Sequence, residues 1–180
     1  MNLVNLKAKK IISLFASIIC TIPISLILHE GGHALIAILC GARITEFSIL
    51  GAYMLYEGGI FTSITLSLFH AAGMLLPVFA AIIYMLTYQD KIACIFYRIF
   101  SFIFSLITVA PILAWIIVPI FYLADKAPQS DDVTKLIDSS GLSPWAVLLG
   151  AIVLFCGCFF LAWKKKVIQN YWAAVKLEGS

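Results

Sequence analysis

From Ile11 to Cys40 the chain has no Asp, Lys or Arg, and its one Glu and two histidines in that run fall together in His29-Glu30-Gly31-Gly32-His33. An apolar run of this length reads as a membrane-crossing helix, because about 20 apolar residues span the hydrocarbon core. An ionisable side chain near the centre of such a helix costs roughly 2.5–3.5 kcal/mol on insertion scales, so such residues are rare and usually functional. Residues four apart on a helix face the same way. His29 and His33 can therefore offer two imidazoles to one zinc ion, with Glu30 beside them as a base for a water that the ion activates. A chance match would be cheap on a soluble surface helix and is expensive here. A secretory signal would have a shorter apolar core, and His-Glu would interrupt this one where a small-residue cleavage site belongs.

The rest of the composition agrees with a bilayer. Hydrophobic residues make up 63% of the 180-residue chain and charged residues 12%, about half the charged share of a soluble domain. The pattern predicts an all-α polytopic membrane protein with about four transmembrane helices, over 11–40, 63–88, 95–123 and 145–163. These spans and their connections make a single domain, 1–180, with no room for a sizeable soluble one. The net charge of +3 implies no nucleic-acid partner, because the basic residues cluster by topology and not in a groove. Cys20, Cys40, Cys94, Cys156 and Cys158 lack zinc-ribbon spacing and read as small hydrophobes of the spans.

Residues 43–62 are too polar and glycine-rich to span. β-Branched and aromatic residues interrupted by Glu57-Gly58-Gly59 predict a short β-hairpin after the first span. Such backbone is tolerated at membrane depth only when packed on protein or lining a wet cavity, so the hairpin is expected to be re-entrant or interfacial. Glu46 and Glu57 within it read as solvated. Pro23, Pro111 and Pro119 are expected to kink or bend the spans. Gly31 and Gly32 leave space for another helix, or a substrate backbone, near the metal. Residues 124–144 are the one extended polar loop. Within it Asp131-Asp132-Val133-Thr134-Lys135 predicts the acidic first turn of a short helix, with Ser130 as its cap.

With four spans, Lys7, Lys9, Lys10, Lys91, Arg98, Lys164, Lys165, Lys166 and Lys176 share one side, and only Arg43, Lys126 and Lys135 lie on the other. The excess predicts that both termini are cytoplasmic. His29 lies about 28 Å along the helix from Lys10 at 1.5 Å per residue. The same topology therefore brings the histidine pair, His70 and the 124–144 loop to one end of the bundle. A catalytic zinc usually takes three protein ligands and keeps a fourth position open, so the third is expected from Asp131 or Asp132. His70, alone in an apolar span, reads as a hydrogen-bonded structural residue or as one with an orienting or transition-state role.

Residues 29–49, His-Glu-Gly-Gly-His-Ala-Leu-Ile-Ala-Ile-Leu-Cys-Gly-Ala-Arg-Ile-Thr-Glu-Phe-Ser-Ile, resemble the site-2 protease family of intramembrane zinc metalloproteases, in particular small bacterial members without extra soluble domains. The resemblance implies a hairpin after the first core helix and a later acidic residue as third zinc ligand. Asp132-Val-Thr-Lys-Leu-Ile-Asp-Ser-Ser-Gly141 is similar to one branch's acidic motif, which implies Asp132, with Asp131 as second choice. The family's Ala-Gly-Pro-x-x-Asn is matched only in part by Ala72-Gly73-Met74-Leu75-Leu76-Pro77, with Met74 for the proline and Pro77 for the asparagine; His70, one turn earlier, is the candidate to substitute for that polar group. In layout the resemblance covers most of the chain; in motif it is strong at 29–49 and weak at 130–144.

The expected function is hydrolysis of peptide bonds in membrane-embedded or membrane-proximal substrates by a zinc metalloendopeptidase. Its metal would be held by His29, His33 and Asp132, its base would be Glu30, and the 43–62 hairpin is the candidate to hold an extended substrate. The alternative is a non-catalytic zinc-binding membrane protein of the same fold, acting as a structural or regulatory partner. The protein is expected in the bilayer of a bacterial cell; oligomeric state is left open by the sequence.

Overall fold

The computed structural model describes residues 3–176. In chain order it has α1 (Leu3–Leu39), β1 (Ala42–Ser48), β2 (Tyr53–Gly58), α2 (Ser63–Thr87), α3 (Ile95–Val109), α4 (Ile112–Leu123), α5 (Asp132–Ser140), α6 (Pro144–Lys164) and α7 (Val167–Lys176). Four segments are long and apolar enough to cross a membrane: Asn5–Leu39, Ser63–Thr87, Ile95–Leu123 and Pro144–Lys164. The fold is all-α apart from one two-stranded antiparallel hairpin after the first long helix.

The first helix starts well before Ile11. Lys7, Lys9 and Lys10 are good helix formers, and nothing in that stretch breaks the ladder. Pro23 and Pro77 sit inside α1 and α2 without ending them. The third span divides between α3 and α4 at Ala110-Pro111, where proline removes a backbone donor. Residues 124–144 are a loop only at their ends: α5 fills the centre. Its N-cap is Asp131, whose carboxylate accepts from the Val133 amide, not Ser130 as expected. Asp131 is one residue closer to the helix and anionic, so it serves both the orphan amides and the helix dipole better than a serine. The C-terminal tail is also ordered as a helix, α7, after a turn at Lys166 with φ +61°.

The hairpin pairs Ala42 with Gly58 and Arg43 with Glu57, with a bulge between Ile44 and Glu46. It is shorter than 43–62, because Gly59–Phe61 turn into α2 and Thr62 caps that helix in a reciprocal box with Thr65. Ile60 N–H donates to the Cys40 carbonyl and fastens the base of the hairpin to the end of α1.

The main core lies among α2, α4, α5 and α6, with Val78, Ala81, Met85, Ile112, Trp115, Val133 and Ile137 inside it. Outside this core, α1 packs on α3, where Leu14 and Ile18 lie against the cluster of Ile95, Ile99 and Ile103; the hydroxyl residues Ser13, Ser17 and Thr21 of α1 and Ser101, Ser105 and Thr108 of α3 are all buried. Most of these hydroxyls donate to carbonyls one turn back in their own helices, which satisfies them inside an apolar bundle.

The tightest approach is between α1 and α2. A Cβ built on Gly32 would stand 2.6 Å from the Ala72 carbonyl carbon, whereas one on Gly31 would first meet Leu76 Cδ2 at 3.9 Å. Backbone cannot yield as a flexible side chain can, so only one of these adjacent glycines is sterically required. Gly32→Ala is expected to lower stability by about 1–3 kcal/mol, the usual range for overpacking, and Gly31→Ala to leave it near wild type. Thermal unfolding of the two variants in the same detergent checks the contrast.

A candidate metal centre of two histidines and an aspartate

Two turns of membrane helix and the start of a loop helix converge here. His29 and His33 lie one turn apart on α1, with their Nε2 atoms 3.4 Å from each other. From α5, Asp132 Oδ2 approaches to 3.1 Å of His33 Nε2 and 3.6 Å of His29 Nε2. Zinc–ligand bonds of 2.0–2.1 Å in a tetrahedron would place ligand atoms about 3.3 Å apart. The observed triangle fits that spacing, and the donor set of two imidazoles and a carboxylate suits zinc. Among the described residues these three form the one such cluster.

Asp132 is half-enclosed on the first turn of a helix outside the spans. Burial works to raise its pKa, but the imidazoles of His29, His33 and His70 around it outweigh burial, so the carboxyl is held well below the usual carboxylate range. It is thus ionised, the form a metal requires. Asp131, one residue earlier, has its carboxylate turned back onto the Val133 amide at 2.8 Å. The two aspartates divide the work: one caps the helix, the other faces the histidines.

Supporting groups come from α2. His33 Nδ1 lies 2.7 Å from the Phe69 carbonyl; in that bond the ring donates, which leaves the Nε2 lone pair toward the cluster. The Phe69 ring also packs on the His33 ring with centroids 4.9 Å apart. His70 is buried, and its Nδ1 stands 3.7 Å from Asp132 Oδ1, with no hydrogen-bond partner. Glu30 is buried beside the pair. His29 and Asp132 are 34% and 27% exposed against 8% for His33, so the cluster opens on the side they share.

The hairpin glutamates stay outside. Glu46 accepts from the Tyr53 hydroxyl, and Glu57 lies 3.8 Å from Arg43 in an exposed pair. The hairpin reaches the centre by another route. Tyr56 and Phe61 pack on Phe69 with centroids 5.4 and 5.8 Å away, and Phe69 in turn holds His33. Sequence reading passed over this aromatic link and the part played by the Phe69 backbone, which no side-chain pattern announces. It also named Gly73 only as a motif remnant. A Cβ there would collide with the His33 ring and stand 2.8 Å from His29 Cε1; the spacing of Ala71-Ala72-Gly73 was the available signal that α2 comes close.

The arrangement of His29, Glu30, His33 and Asp132 in a four-span membrane protein matches a catalytic zinc-protease site of the His-Glu-x-x-His type. Because Gly73 leaves the space that both imidazoles occupy, Gly73→Ala is expected to weaken zinc binding about 10-fold or more, as loss of a supporting group commonly does. Zinc per chain after dialysis against graded chelator measures it; unchanged retention would mean that the rings do not need that space.

No family model matches the chain, and neither do any curated proteins or solved structures. The chain is, on its own geometry, a small polytopic membrane protein with a His/His/Asp zinc-type site, consistent with an intramembrane zinc-metalloprotease-like fold.

Proposed function

We propose that this chain is an intramembrane zinc metalloendopeptidase of the site-2 protease type, a single domain over 1–180 that cleaves membrane-embedded or membrane-proximal peptides. Residues 1–2 and 177–180 of that span lie outside the described residues. The observation that carries the proposal is the triangle of 3.1, 3.4 and 3.6 Å among His33, His29 and Asp132, with one side open and Glu30 next to it. A structural zinc centre closes with four protein ligands, whereas a catalytic one keeps a position free. Three ligands and an exposed side favour catalysis over the purely structural alternative.

In the proposed reaction His29, His33 and Asp132 hold the ion. Bound zinc supplies a Lewis acid and lowers the pKa of a coordinated water to about 7. Glu30, which is buried, would accept a proton from the attacking water and return it to the leaving amine. A transmembrane substrate hides its peptide bonds in helical hydrogen bonds, so a segment must unwind before reaching Glu30. The hairpin, with its strands at Ala42–Ser48 and Tyr53–Gly58, offers edge groups to which such a segment can add. His70 is given a positioning role: with Nδ1 facing Asp132 Oδ1, it steadies the carboxylate so that Oδ2 faces the histidine pair. The excess of basic residues on the side of Lys7 and Lys164 supports cytoplasmic termini, and the family resemblance supports a bacterial cell membrane.

Glu30→Gln is expected to keep zinc and lose at least about 100-fold in cleavage, the scale of a general base, while His33→Ala and Asp132→Ala lose zinc itself. A fluorescent transmembrane peptide with a Gly-Pro break, reconstituted with the protein, provides the assay. Wild-type turnover by the glutamine variant would remove Glu30 from the mechanism. For His70, truncation to Ala is expected to weaken zinc about 10- to 100-fold, and His70→Asn, which keeps a donor near the Nδ1 position, to restore most of it. Chelator competition separates the two, and equal affinity in both variants would leave His70 merely structural.

A further inference from the structure

Far from the metal centre, α3 and α6 face each other without closing. On α3 the facing residues are Phe102, Ser105, Leu106 and Val109; on α6 they are Phe155, Cys158, Phe159 and Ala162. Both sets follow the i, i+3, i+4, i+7 pattern of a single helix face. The gap is therefore a slot parallel to the helix axes, two turns or about 10 Å long, with a volume of about 330 Å3. Met85 lies at its back, and Val167, Ile168 and Trp172 of α7 close one end. Met85, Cys158 and Val167 are fully interior, whereas Leu106, Phe159 and Trp172 at the rim are about half exposed. The slot thus cuts into the bundle and opens sideways toward the bilayer.

Its chemistry restricts what can enter. The one hydroxyl in the lining, on Ser105, already donates to the Ser101 carbonyl, and beside it only the Cys158 thiol and the Trp172 indole carry a polar atom, so the walls offer few of the several partners that water needs. A hydrocarbon chain lying along the bilayer normal has the right polarity, width and direction. At the closed end there is also a cation. Lys165, one turn beyond Ala162, donates to the carbonyl of Leu86, the residue after Met85, at 2.7 Å. An ammonium has three donors, so two remain, and Lys164 is exposed beside it.

We propose that this slot binds one acyl chain of an anionic phospholipid, with the lipid phosphate on Lys165. The tail fills space that the side chains leave, and α7 is held against the bundle through that filling. The site is independent of the catalytic reading and stands whether or not Glu30 is a base.

The test uses the full chain in nanodiscs of equal phosphatidylglycerol and phosphatidylcholine, released into the gas phase for native mass spectrometry. Wild type is expected to retain one phosphatidylglycerol per chain. Cys158→Phe, which plugs the slot, is expected to retain none while keeping its zinc content; Ala162→Leu serves as the second plug if the first does not fold. Lys165→Met is expected to keep a lipid but lose the preference for phosphatidylglycerol by about 5-fold or more. Equal lipid retention by wild type and a folded plug variant would overturn the proposal. So would equal retention of the two lipids by wild type, or a protein chain recovered in the lipid's place.

Discussion

The constraint on which the rest depends is the cost of setting two imidazoles in a membrane-crossing helix and meeting them with a carboxylate from the helix of the adjoining loop. Each group alone would be expelled or neutralised in a low-dielectric setting. Here they are gathered into one place: His33 donates from Nδ1 to the Phe69 carbonyl and turns Nε2 toward Asp132 Oδ2, while His70 lies nearest Oδ1. Such a gathering demands that three chain segments meet within 4 Å. The meeting is made possible by missing side chains. Gly32 lets α1 come down on the Ala72 backbone, and Gly73 leaves room for both rings.

The third segment needs a different explanation, because α5 spans only Asp132–Ser140 and helices that short are not stable alone. Its amphipathic face does the anchoring. Val133, Leu136 and Ile137 are buried in the main core, and polar ties hold its outer side. The Tyr122 hydroxyl donates to Asp138 at 2.6 Å, and Ser139 meets Ser67 of α2 at 3.0 Å. Asp132 is therefore fixed from the protein side before any ion arrives. Preorganisation of this kind is what a metal site of low coordination number needs, since the ion cannot be asked to assemble it.

How much of this could be read from residues depended on whether the signal was length, spacing or proximity. The spans were legible because apolar length is set by bilayer thickness, and the histidine pair because four-residue spacing survives in any helix. Topology brought the acidic loop to the right end. The choice between Asp131 and Asp132 was less accessible: adjacent identical side chains differ only in which faces the helix amides, and the cap at Asp131 settles where its carboxylate goes. Ser130 was an expected cap for the same reason, one residue out of phase. The contributions of the Phe69 carbonyl and of Gly73 were hidden because they depend on how α1 and α2 cross, a tertiary fact with no local pattern. The slot between α3 and α6 was hidden too, since nothing in an apolar stripe says whether its partner face closes on it.

Phe69 joins these levels. Its carbonyl sets the tautomer of His33, and its ring takes the aromatic edge of the hairpin through Tyr56 and Phe61. The neighbouring residue in sequence, His70, faces Asp132. One turn of α2 thus touches the first helix, the hairpin and the acidic helix at once. Such a turn cannot move without moving a ligand, because packed interiors have discrete arrangements and not continuous ones. A segment laid along the hairpin would press on Tyr56 and Phe61, and they rest on the residue that orients His33. The metal centre and the hairpin are in this sense one mechanical unit, with Phe69-His70 as its hinge point.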